Sequence, residues 1–149
     1  MKMRLAVAAL VLGLQGCGGD HQSGITGLTF EAFRSQLASD AGSSAVDCGD
    51  VAIGADRSQA NCCVVAAFNQ SQAAIATYHE QGVDSYVVTG VLTRGGNAAT
   101  YYHFDSDVTG QGGSQNGSVT ENQCSNPIPR PNACSDPSGL PFTCIPPAS

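Results

Sequence analysis

The run Asp105-Ser106-Asp107-Val108-Thr109-Gly110 sets side-chain oxygens at its first, third and fifth positions and glycine at its sixth. That is the opening of a calcium loop, in which hard oxygen ligands alternate along the chain and glycine permits the sharp turn. The twelfth position holds Asn116 where a bidentate Glu would close the cage, so the pattern implies a weak, extracellular type of site. His103 lies two residues upstream and adds a nitrogen donor. His103, Asp105, Asp107 and Thr109 are therefore the candidate cation ligands. A strand end entering a Gly-rich loop explains the same residues without an ion. Nucleophilic catalysis finds less support: there is no G-x-S-x-G elbow, and no set of nucleophile, base and orienting group is complete. The chain reads as non-catalytic.

Which of these residues meet depends on the strands that carry them. Residues 85–93 are rich in Val, Thr and Tyr, residues 100–104 in aromatics, and Arg94-Gly95-Gly96-Asn97 lies between. Two glycines supply the positive φ of a two-residue hairpin turn. A Gly95-Gly96 turn sets Val91 opposite Thr100, Thr89 opposite Tyr102 and Val87 opposite Phe104, a core face for helices to cover. The outer face then carries Tyr101 opposite Gly90, His103 opposite Val88 and Asp105 opposite Tyr86. With Gln81-Gly82 as the preceding turn, His79 faces Asp84 on the same outer surface. Tyr86, Tyr101, His79 and Asp84 are the candidate binding surface, the tyrosines serving as anchors. A plain solvent face with charges paired across strands is the simpler use of such a surface.

Phe30, Phe33 and Leu37 recur at helical spacing behind Thr29, which predicts a short amphipathic helix with a threonine cap. Residues 46–53 form a strand or an extended loop. Asp56-Arg57-Ser58-Gln59 reads as a capped start to a second helix through Cys62, Cys63, Ala66, Ala67 and Phe68. The apolar helical face lapses at Gln70, so residues 73–80 are read as a strand rather than as more helix. A short strand is expected around 118–121. The tail, 125–149, is where the prolines cluster, and it is expected to be irregular.

Seven cysteines leave one without a partner. Cys17 stands apart from the others, directly after Leu14-Gln15-Gly16. Lys2 and Arg4 precede a ten-residue apolar run, 5–14, which is the layout of a secretory signal and about 15 Å long as a helix, too short to span a bilayer. Leu14-Gln15-Gly16-Cys17 resembles the lipobox of bacterial lipoproteins. The resemblance covers about the first twenty residues, and Gln15 is its one unusual occupant. It implies cleavage before Cys17, a lipidated Cys17 and a membrane anchor. Gly18 in place of Asp after that cysteine implies delivery to the outer membrane of a Gram-negative cell envelope.

Export leaves Cys48, Cys62, Cys63, Cys124, Cys134 and Cys144 as an even set for disulfides. Cys134 and Cys144 flank Pro137, Gly139 and Pro141 and are expected to pair with each other. Adjacent Cys62 and Cys63 reach separate partners, Cys48 and Cys124. Beyond Cys17 four arginines face twelve Asp and Glu, a net charge of −8, which disfavours nucleic acid.

The expected organisation is a signal peptide (1–16), a lipidated cysteine and tether (17–28), a small α+β domain (29–124) and a disulfide-looped tail (125–149). In the domain, one or two helices pack on a three- or four-stranded antiparallel meander. The expected role is a non-catalytic binding or adaptor module for an envelope protein partner, with no cofactor. The alternative is a calcium- or other cation-binding protein using Asp105 and Asp107.

Overall fold

The computed structural model describes residues 28–95, 98–107, 117–124 and 126–144. Cys17, Thr109 and Asn116 lie outside them. Helix α1, Phe30–Ala41, begins as its sequence demands: Thr29 is extended, and its hydroxyl accepts the Ala32 N–H at 3.2 Å. Gly42 at φ 86° stops it, returning its N–H to the Ala38 and Ser39 carbonyls. Helix α2, Ser58–Asn69, has Arg57 at its cap position, while Asp56 one residue earlier accepts the Ser58 N–H at 2.8 Å.

Among the described residues there are seven strands: β1 Val46–Val51, β2 Ala73–Gln81, β3 Tyr86–Arg94, β4 Ala99–Asp105, β5 Ser118–Cys124, β6 Pro127–Pro129 and β7 Phe142–Cys144. The fold is α+β. Its main sheet has five strands in the order β1-β2-β3-β4-β5, antiparallel except where β1 joins β2 in parallel. The expected meander is therefore real from β2 to β5, and β1 extends it into a mixed sheet. Helix α2 makes the crossover that a parallel pair requires.

Both expected turns are too short. Gln81 pairs with Tyr86, so residues 82–85 turn the chain. At the next hairpin Val91 lies opposite Tyr101, not Thr100. A slip of one residue turns every side chain of a strand to the other face. Val88, Gly90 and Leu92 consequently share a face with Thr100, Tyr102 and Phe104, and that face lies under α1. Phe33 and Leu37 of α1 pack there with Ile75, Val88, Leu92, Tyr102 and Phe104. Gly90 allows the close approach, because a Cβ there would stand 2.8 Å from the Phe33 ring.

The opposite face is no solvent surface. Ala60 and Val64 of α2 and Phe142 of the tail cover Ala76, Tyr78, Val91 and Ala99. Burial on both faces explains the near-continuous apolar run of β3, whose residues 88–93 are all buried.

The tail is more regular than its prolines suggested. β6 and β7 form an antiparallel pair, with Pro127 and Pro129 opposite Cys144 and Phe142. Proline fits such a short edge strand, where its missing N–H breaks no long ladder. The disulfides are Cys48–Cys63, Cys62–Cys134 and Cys124–Cys144. The expected Cys134–Cys144 pair is overturned, because β7 runs back beside Cys124 while the preceding loop turns Cys134 towards α2. Cys62 and Cys63 do reach separate partners, as adjacent helical positions point in different directions.

Within that loop, the Arg130 guanidinium donates to Asp136 at 2.5 Å and to the Leu140 carbonyl at 3.2 Å. The Ser138 backbone and hydroxyl, with Arg130, hold the Asp136 carboxyl down at about 2. A carboxyl depressed in the fold stabilises it above the unfolded value and loses that contribution as pH falls through the folded one. Tail order should therefore decline between about pH 4 and about pH 2. Asp136→Asn should flatten that decline, read from Ser138 and Gly139 amide resonances during acid titration.

Candidate binding site

The corrected register separates the residues that sequence placed together. His103 and Tyr101 lie on the α2 side, His79 and Tyr86 on the α1 side. Tyr101 is no exposed anchor: its hydroxyl donates to the Phe142 carbonyl and accepts the Phe142 N–H, each at 3.2 Å. Burial pushes its pKa up to about 12. Asp84 sits exposed in the 82–85 turn, and His79 faces Val88 instead of it. Asp105 accepts the Asp107 N–H at 3.0 Å, and Asp107 is buried. Among the described residues no group of three His, Cys, Asp or Glu side chains is arranged to hold a metal ion.

A different cluster forms around His79. Its foundation is an irregularity in β1. Asp47 opposes Ile75 and Asp50 opposes Thr77, so three steps on β1 match two on β2. The extra residue, accommodated with Gly49 at φ 103°, turns both carboxylates to the α1 face. Arg34 of α1 reaches down to them, 3.0 Å from Asp47 and 3.6 Å from Asp50. Half-exposed pairs of this kind contribute at most about 1 kcal/mol each; their effect is to place Asp50.

The Asp50 Oδ1 atom then lies 2.5 Å from both Thr77 Oγ1 and His79 Nε2. Thr77 and His79 are two apart on β2 and point the same way by pleating. Both are buried. The other imidazole nitrogen, Nδ1, meets the Tyr86 hydroxyl. Phe30, the first residue of α1, closes the group edge-on, its ring 4.9 Å from the imidazole and 5.8 Å from the Tyr86 ring.

Hydrogen-bond chemistry orders this chain. An ionised carboxylate only accepts, so Nε2 carries the hydrogen facing Asp50. In the neutral imidazole Nδ1 then has only a lone pair, and Tyr86 must donate to it. The order carboxylate–imidazole–hydroxyl is the one that activates serine nucleophiles. Here the hydroxyl is a phenol whose pKa is raised, first by burial and then by the negative fields of Asp50 and Glu31. At neutral pH it keeps its proton and serves as a hydrogen-bonding group on the imidazole.

Tyr86 is nevertheless 38% exposed. Ile53 and Val83 are exposed at the same end of the sheet, Ile53 just beyond β1 and Val83 in the β2–β3 turn. Sequence reasoning found His79 and Tyr86 but missed Phe30, Arg34, Asp50 and Thr77 as members of the site. Asp50 comes to His79 only through a parallel pairing across α2, which leaves no local sequence signal. Comparison with protein-family models, with curated proteins and with solved structures found no match.

Proposed function

We propose that this chain is a non-catalytic binding module of the cell envelope, tethered through a lipidated Cys17, that engages a protein partner around Tyr86 and Phe30. The observation that carries the reading is a half-exposed tyrosine immobilised from behind by His79, which is itself fixed by Asp50. A side chain already held in one conformation loses little entropy on binding, and aromatic anchors of this kind dominate interface energies. Ile53 and Val83 add exposed apolar side chains at the same end of the sheet.

A photo-crosslinking amino acid at Val83, which is 96% exposed, should yield a discrete adduct in envelope preparations. Tyr86→Ser in the same chain should remove that adduct while the melting temperature changes little, because the ring lies at the edge of the core. An adduct that survives Tyr86→Ser would remove this surface from consideration.

A further inference from the structure

We propose that the partner docks on this surface through an arginine side chain that donates to the Tyr86 hydroxyl and stacks on the Tyr86–Phe30 aromatic pair. The inference rests on the binding-module reading and specifies the chemistry of its partner. Three observations converge on it.

The first is the direction of the hydrogen bonds. With a neutral His79 whose Nε2 hydrogen faces Asp50, Tyr86 donates to Nδ1, and the lone pairs of the phenolic oxygen are what remains to offer a ligand. A ligand at that atom must therefore donate. A carbonyl or carboxylate would meet oxygen against oxygen.

The second is charge. Glu31 and Asp50 impose a negative field on the phenol, and Asp47 stands beside Asp50. Arg34 supplies the single cation bridging Asp47 and Asp50. A donor that is also a cation is favoured there over a neutral amide or hydroxyl.

The third is shape. Phe30 and Tyr86 meet edge to face at 78°, and Tyr86 is partly exposed. A guanidinium can lie against an aromatic face while its N–H groups point along its own plane to an acceptor, and a lysine ammonium cannot do both. A second copy of this chain is a poor source of that group. Arg34 is held by Asp47 and Asp50, Arg57 by Glu80 and the Ser138 carbonyl, and Arg130 by Asp136.

The test uses the full-length, oxidised protein with aromatic carbon-13 labelling, titrated with end-blocked Gly-Gly-Arg-Gly-Gly. The controls are the same peptide with citrulline, which keeps the shape without the charge, and with glutamate. The arginine peptide should move the Tyr86 and Phe30 ring resonances saturably, and citrulline should bind at least about tenfold more weakly, the scale of one charge-assisted hydrogen bond. Glutamate should not bind. Tyr86→Phe keeps the ring and removes the acceptor, and should weaken the arginine peptide by about tenfold.

Equal affinity for arginine and citrulline, an unaltered affinity in Tyr86→Phe, or no movement at millimolar peptide would each overturn the assignment. So would concentration-dependent dimerisation in sedimentation that shifts the same two rings. A Tyr86-dependent crosslink at Val83 that persists alongside any of these would leave the binding module standing and remove only its arginine.

Discussion

Replacing Cys62 and Cys134 together with alanine is expected to lower stability by roughly 4 kcal/mol, the entropy of closing so long a loop in the unfolded chain. This bridge spans 72 residues, against 15 for Cys48–Cys63 and 20 for Cys124–Cys144. The shorter bridges should each contribute about 3 kcal/mol. The longer one also holds the tail against α2, where Asn61 donates to the Gly139 carbonyl at 2.9 Å and accepts the buried Tyr78 hydroxyl at 2.8 Å. Without the bridge, Gly139 can withdraw and leave the Asn61 amide seeking water. Urea unfolding of the two double-alanine variants lacking Cys62–Cys134 or Cys48–Cys63 gives the comparison. A larger loss from the shorter loop would mean that native contacts, not loop entropy, set the ranking.

Phe33→Ala should cost about 3–5 kcal/mol, the range for truncating a buried phenylalanine that neighbours cannot refill. Its ring stacks on Phe104 at 5.4 Å and 16°, and meets Tyr102 edge-on at 6.4 Å. It also fills the space that Gly90 leaves open. The loss should extend beyond stability. Phe30 lies one turn before Phe33 and Arg34 directly after it, so a looser α1 releases both the aromatic cover of His79 and the cation beside Asp50. Hydrogen exchange should quicken throughout α1 while α2, fixed to β1 and the tail by disulfides, keeps its protection. Matching acceleration in both helices would show the two faces to be one cooperative unit.

The elements that sequence revealed are those governed by local chemistry. Thr29 and Gly42 bracket α1 with their own side chain or backbone freedom. The lapse of apolar residues at Gln70 separated α2 from β2. The errors arose where long-range pairing decides. Asp47-Cys48-Gly49-Asp50 is polar and irregular enough to leave strand and extended loop both open, yet its displaced residue is what turns Asp50 towards His79. Gly95-Gly96 suggested the tightest turn, and one residue of register then turned β3 over relative to β4. Tyr86 was identified as an anchor on a surface shared with Tyr101, and it proved to be on the other side of the sheet. The disulfide partners of Cys62 and Cys144 depended on where the tail packs, which proline content alone does not specify.

The three disulfides among the described residues lie on the α2 side, and every cysteine in them follows α1 in the chain. A pull on the amino end of the domain therefore enters through Phe30 and loads a helix held by side-chain packing and ion pairs, with no covalent link to the sheet. Under tension α1 is the part that peels first, and the remainder stays locked. Because Phe30 and Arg34 travel with that helix, load applied at its amino end would dismantle the Tyr86 surface before it disturbed the stapled half.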